Sequence, residues 1–231
     1  MKILKRLYHK AVCKKIVYDN VLKRDKYNDR RVLEEIIIPR VLADFDPKKI
    51  LDIGREDYQI FYNKFFKNRE LWTMDIDPER AEYGAEGKFH ITDDAANVKN
   101  HFTNDYFDFI LINGVLGWGL DSKAKIEQAF TGLFDILKPK GLLIIGWNDF
   151  EDTDTMRPHQ IKALKKFKAY NFKPLGGAEF ECDNGCHKYS FLLRNDAQKK
   201  SKFQISKSKS NPKTKIKNTR SKNINQIETK F

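Results

Sequence analysis

A membrane-spanning helix needs roughly 20 consecutive apolar residues, and no run of that length occurs in this sequence. The N-terminus, MKILKRLYHKAVCKKIVYDNVLKR, has the charged start of a secretory signal but not its apolar core, because lysine or histidine interrupts each apolar stretch. Cysteine is scarce, with three in 231 residues. So small and odd a number supports no disulfide framework and fits a reducing compartment, with the cytoplasm as the expected location. The Gly-x-Gly-x-x-Gly fingerprint of dinucleotide-binding folds is also missing, which removes the main sequence argument for a nicotinamide-dependent oxidoreductase.

What is present argues for a folded chain with a core: 40% of residues are hydrophobic, including 17 Phe, 9 Tyr and 3 Trp. The net charge of +12 is concentrated at the ends. Residues 197–231 hold 11 Lys+Arg against one acid, Glu228, and residues 1–24 hold eight against Asp19 alone, so residues 25–196 carry 25 basic and 30 acidic groups. The middle of the chain is mildly acidic, which argues against a nucleic-acid groove on the body itself. Residues 1–29 are expected to form a basic helical extension, residues 30–195 one domain, and residues 196–231 a basic, disordered tail with too little apolar surface to offset the entropy of ordering.

Within the body, short apolar runs alternate with helical patterns. A helix over residues 30–45, with a kink or a fresh start at Pro39, precedes KILDI at Lys49–Ile53. LWTMDI at Leu71–Ile76, KFHIT at Lys88–Thr92, FDFILIN at Phe107–Asn113 and GLLIIGW at Gly141–Trp147 follow as strands. Helices are expected at Tyr58–Phe66, from Pro78, near Ala95–Phe102, at Lys123–Leu137 and at His159–Tyr170. Two last strands, Glu179–Cys182 and His187–Arg194, are separated by Asp183-Asn184-Gly185, and Asn-Gly is a hairpin turn signal. The pattern predicts an α/β fold: a doubly wound, mostly parallel seven-stranded sheet with helices on both faces and a C-terminal antiparallel hairpin.

Ligands of open α/β sheets bind at the carboxyl ends of the strands. Here those ends read Asp52-Ile53-Gly54, Asp75-Ile76-Asp77, Asp93-Asp94, Asn113-Gly114 and Trp147-Asn148-Asp149. With LDIG, DID, TDDA, FDFILING and LKPKGLLIIGWND in this order, residues 30–194 resemble the class I S-adenosylmethionine-dependent methyltransferases. The resemblance implies S-adenosylmethionine as cofactor, with Gly54 in the turn that approaches it, Asp75 on the ribose hydroxyls, and Asp93 or Asp94 near the adenine amine. Asp52, two residues before Gly54, fits the same pattern, and Asn113 falls where the family faces both methyl donor and substrate. Asp77 before Pro78 is the better helix cap, and Asp93 or Asp94 could equally cap a helix starting at Ala95.

The sequence departs from that family at its glycine turn, where Gly-x-Gly-x-Gly is replaced by Gly54-Arg55-Glu56-Asp57-Tyr58. Two readings stand: a remodelled turn that still binds cofactor through side chains such as Tyr58, or a decayed site on a surviving scaffold. Trp118, in the Gly-rich stretch Asn113–Gly119, either covers a substrate or plugs the core. Asn113, His90 and His159 are the candidates for assisting a methyl acceptor. Cys182, Cys186 and His187 lack a fourth ligand for zinc, and no metal is expected. The expected activity is methyl transfer to a small-molecule or glycan acceptor. The alternative is a non-catalytic module whose basic ends bind nucleic acid or another polyanion, and a weak polyanion contact through the tail is compatible with either.

Overall fold

A computed structural model describes residues 1–20, 28–86, 89–150, 155–183 and 185–195. The tail expected at 196–231 lies outside the described residues, as do residues 21–27 of the expected N-terminal extension, Lys88 of the third expected strand and Asn184 of the hairpin turn. The described residues all belong to one compact unit, Met1–Asp196.

Eight strands form one sheet: β1 Lys49–Ile53, β2 Glu70–Asp75, β3 His90–Thr92, β4 Phe107–Asn113, β5 Leu137–Asn148, β6 Phe167–Ala169, β7 Glu179–Glu181 and β8 His187–Arg194. Their order is β3-β2-β1-β4-β5-β8-β6, with β7 also pairing β8. The first five are mutually parallel, and β8 runs antiparallel to β5, β6 and β7. β7 pairs with β8 at Lys188–Ser190 and β6 with β8 at Leu192–Arg194, so the two share one edge position. Eight strands thus occupy seven places. The hairpin forms as expected, with Cys182 N–H bonded to His187 O at 2.9 Å and Gly185 at φ +74° in the turn.

The parallel strands read as continuous apolar runs because both faces are covered. Alternate residues feed two cores: Leu51, Ile110, Ile112, Leu143 and Ile145 pack with α6 (Lys123–Ile136) and α5 (Val98–His101) on one face. On the other face Ile50, Phe109, Leu111, Leu142 and Ile144 pack with α1 (Lys2–Asn20), α3 (Ile38–Asp44) and α4 (Tyr62–Phe65). The expected helix over residues 30–45 is α2 (Asn28–Val32), a π-helical stretch Leu33–Ile37, then α3, with Pro39 in the first turn of α3. The widened turn stands just before the proline, whose missing N–H breaks the ordinary ladder there.

The helix expected at His159–Tyr170 is not formed. That stretch is two 3₁₀ turns, Pro158–Gln160 and Lys162–Lys166, followed by β6. Its buried residues Ile161, Ala163, Leu164 and Phe167 suit either period: Ile161, Leu164 and Phe167 recur every third position as in a 3₁₀ helix, while Ala163 and Phe167 stand four apart as in an α-helix. The Glu127 carboxylate on α6 accepts the Lys162 and Ala163 N–H groups at 2.7 and 2.8 Å, capping the second turn from a neighbouring element. The segment from Asp57 is a 3₁₀ turn, Asp57–Gln59, followed by the four-residue α4, and the segment from Pro78 is 3₁₀ over Pro78–Tyr83.

Candidate functional site

The chain winds from β1 outward through β2 to β3, then returns to place β4 on the other side of β1. Between β1 and β4 lies the topological switch point, where helices on the two faces diverge and leave a crevice at the strand ends. A cleft of about 760 Å³ opens there, within the usual range for small-molecule sites. Gly54, Tyr58, Asp75, Asp93, Asp94, Asn113 and Trp118 all line it, so the structure brings seven of the sequence-derived candidates to one place.

Gly54 follows β1 at φ +89°. A Cβ there would lie 2.5 Å from Asn113 O and 2.7 Å from Val115 Cγ2, so the turn passes too close to the end of β4 for any side chain. Glu56, where the family pattern has glycine, has φ −119°, ordinary extended backbone. The absent second glycine therefore causes no strain: after Gly54 the chain turns at once into the 3₁₀ helix Asp57–Gln59, whose start is closed by Glu56 N–H donating to Gln59 Oε1 at 2.8 Å. The turn is remodelled, with its own hydrogen bonds.

Arg55 holds it from within. Its side chain is wholly buried, with Nε 3.0 Å from Asp52 Oδ2, and Asp52 is wholly buried too. Arg55 Nη1 donates to the carbonyls of Gln59 and Tyr83 at 2.7 and 3.4 Å, and Nη2 to Asn63 Oδ1 at 3.3 Å. Burial pushes the Asp52 carboxyl upward against the opposing pull of Arg55. Asp52 consequently lies beneath the turn and not on the cleft wall.

Asp75 ends β2. Its Oδ2 accepts Arg55 N–H at 2.9 Å and its Oδ1 accepts Asp77 N–H at 3.0 Å. Two backbone bonds fix the carboxylate and leave further lone pairs on a residue that lines the cleft. Asp77 caps the next helix by accepting Glu79 N–H at 2.9 Å, and Asp94 caps Ala95–Asn97 by accepting Ala96 N–H at 2.9 Å. Hydrogen bonds from Asn97 and His101, the latter at 2.7 Å, hold the Asp93 carboxyl below its usual range.

On the far wall, Gly114 at φ +67° has open space where a Cβ would stand. Trp118 is 66% exposed and is no core plug. His90 and His159 are not brought to the cleft: His90 Nδ1 lies 2.8 Å from Thr73 Oγ1, with burial lowering its pKa, and His159 is exposed on the Pro158–Gln160 turn.

Arg30, Arg80 and Asn148 also line the cleft, and sequence reasoning passed them over. Arg30 comes from α2, with Cζ 3.3 Å from the centre of the Tyr58 ring; Arg80 Nη1 donates to Glu56 Oε2 at 2.6 Å across the rim. Asn148 Oδ1 lies 2.7 Å from Nδ1 of the buried His187. Only Asn148 carried a signal in the sequence, its place at the end of β5. Among the described residues no group of three or more His, Cys, Asp or Glu is placed to hold a metal ion.

No sequence-family model matches the chain, and no curated protein matches it by sequence. Solved structures do match. The N-methyltransferase NodS of Bradyrhizobium japonicum, in complex with S-adenosyl-L-homocysteine, superposes with a TM-score of 0.57 at 15% identity over 81% of this chain and 98% of that one. A TehB-like S-adenosylmethionine-dependent methyltransferase from Corynebacterium glutamicum gives 0.52 at 15% identity, over 82% and 99%. One from Archaeoglobus fulgidus gives 0.50 at 13%, over 74% and 100%. At these identities the likeness establishes the fold: a class I, Rossmann-like methyltransferase sheet.

Proposed function

We propose that this chain, built on the class I methyltransferase fold, is an S-adenosylmethionine-dependent methyltransferase acting on a small-molecule or glycan acceptor. One observation carries the reading: the Asp75 carboxylate, anchored by two backbone N–H groups, stands at the end of β2 on the wall of a cleft at the switch point. A carboxylate so held accepts both hydroxyls of a vicinal diol, as the corresponding acid does in dinucleotide-binding folds. The likeness to NodS with its bound product supports the same ligand class.

The donor set fits the cofactor. Asp75 is assigned to the ribose, Asp93 or Asp94 to the adenine amine, and the close backbone around Gly54 to the amino-acid portion. Tyr58, braced by Arg30, closes one side. The cofactor supplies an electrophilic methyl group on a sulfonium, and the chain supplies position. Asn113 and Asn148 present polar side chains to the cleft, and Trp118 offers a planar, exposed cover for the acceptor. Neither His90 nor His159 reaches the cleft wall, so the acceptor's own nucleophilicity and its alignment account for the chemistry. The wall carries Glu56, Asp57, Asp75, Asp77, Asp93 and Asp94 against Arg30 and Arg80, the buried Arg55 guanidinium being matched by Asp52, an acidic balance that suits a cationic cofactor and disfavours a polyanion.

Titration calorimetry with S-adenosylmethionine and S-adenosylhomocysteine tests this. Wild type should bind both, and Asp75→Ala should weaken binding about 10- to 100-fold, the loss of charge-assisted hydrogen bonds. Absence of heat from either ligand with folded wild-type protein would overturn the proposal.

A further inference from the structure

Helix α1 has two apolar faces, and the body uses only one. The inner face buries Cys13 and Val17 against the core and is tied to α3 by Arg6, whose Nε and Nη2 donate to the Asp44 carboxylate at 2.8 and 3.0 Å. On the opposite side stand Leu4, Leu7, Tyr8, Ala11 and Tyr18, spaced at three, four and seven residues along one stripe. Leu4 is 72% and Leu7 60% exposed, and Tyr8 and Tyr18 are also open to solvent. A helix packed on a soluble body ordinarily turns polar residues outward; this one turns outward its largest apolar side chains.

The surrounding charge identifies what would cover them. Lys10 is exposed beside the stripe, Lys14 and Lys15 stand within it between Ala11 and Tyr18, and Lys10 and Lys14 form no ion pair with another described residue. Residues 1–18 contain no acid at all, and Asp19 is held by Lys15 at 3.0 Å. A second copy of the helix would set lysines against lysines. Residues 197–231, with 11 Lys+Arg and one acid, match the face in sign of charge and so do not complement it. We infer that the outer face of α1 docks on an anionic lipid surface, with Leu4, Leu7 and the tyrosine rings entering the acyl boundary and the lysines meeting the headgroups. This requires no spanning segment, in keeping with the absence, among the described residues, of any helix long and apolar enough to cross a membrane.

The test is co-sedimentation of the full chain with phosphatidylcholine vesicles, with and without roughly one-third phosphatidylserine, at about 0.15 M salt. The full chain should bind the anionic vesicles and not the neutral ones. Leu4→Glu/Leu7→Glu alters only exposed side chains, so the variant should keep the wild-type melting curve while its vesicle affinity falls at least about tenfold. Lys10→Glu/Lys14→Glu should lose the preference for phosphatidylserine. No binding to anionic vesicles would overturn the inference. So would unchanged binding by Leu4→Glu/Leu7→Glu, which would assign the attraction to basic residues elsewhere. Light scattering that shows a wild-type dimer made monomeric by Leu4→Glu/Leu7→Glu would overturn it in favour of a second copy.

Discussion

Asp52 and Arg55 form an ion pair sealed from water beneath the cleft, and removing one partner of such a pair leaves a bare charge in the core. Arg55→Ala should therefore destabilise the fold by about 3–5 kcal/mol in urea unfolding. The apolar double replacement Asp52→Leu/Arg55→Met should recover most of that loss, since breaking a buried pair costs more than replacing it. Glu56→Ala, which removes one of the two carboxylates paired with Arg80 at the half-exposed rim, should cost no more than about 1 kcal/mol. At Asp149, hydrogen bonds from Lys188 and Arg157 at 2.8 and 2.5 Å lower the carboxyl's pKa. A depressed folded value contributes stability that is complete above the unfolded carboxylate value, about 3.9, and is lost as pH falls through the lower folded one. Asp149→Asn should be less stable than wild type at neutral pH and converge with it in strong acid, measured as melting temperature against pH. At this scale sequence reading located the strand-end carboxylates and gave Asp77 its cap, but it set Asp52 beside Asp75 in the cofactor pattern; that Asp52 is buried beneath the turn depends on Arg55 folding back over it, a contact no local pattern records.

Among the elements, α6 lies close against α5 at Gly132, where an added Cβ would sit 2.9 Å from Val98 Cγ1 and 3.3 Å from Lys99 Cβ. Gly132→Leu should overpack this contact and cost about 1–3 kcal/mol, read as a lower melting temperature with the cleft residues untouched. Strands buried on both faces were legible from their apolar runs, as was the hairpin from its Asn-Gly turn. The segment at 159–170 was not. Its apolar spacing suits more than one helix type, and the choice depends on Glu127, a residue of another element, accepting two of its N–H groups. The same limit applies to β6 and β7, which share the outer edge of β8 by a register visible only after folding.

For the whole molecule, the described residues of both core clusters run no later in the chain than Leu193. A chain ending at residue 195 is therefore expected to keep the melting temperature and S-adenosylmethionine affinity of the full protein, by calorimetry on the two side by side. A drop in either would show that residues 196–231 belong to the working fold. The charge arrangement agrees with this division: basic ends, a body of 25 basic and 30 acidic residues, and a cleft at the strand ends lined by six acids.

The sequence by itself determined the alternation of strands and helices, the parallel sheet and the polar strand ends, because hydrophobic periodicity and turn chemistry are local properties that survive without tertiary contacts. Tertiary structure decided the rest. Asp52 and Asp75 share one face of the sheet, because Asp52 pairs in register with Thr73 and side chains two residues apart point the same way. Asp52 stands before the Gly54 turn and is sealed there by Arg55, while Asp75, at the end of β2 and fixed by N–H groups from residues 55 and 77, lines the cleft. That a buried arginine holds the glycine-poor turn, and that α1 keeps an apolar face in solvent, depend on which elements meet in space.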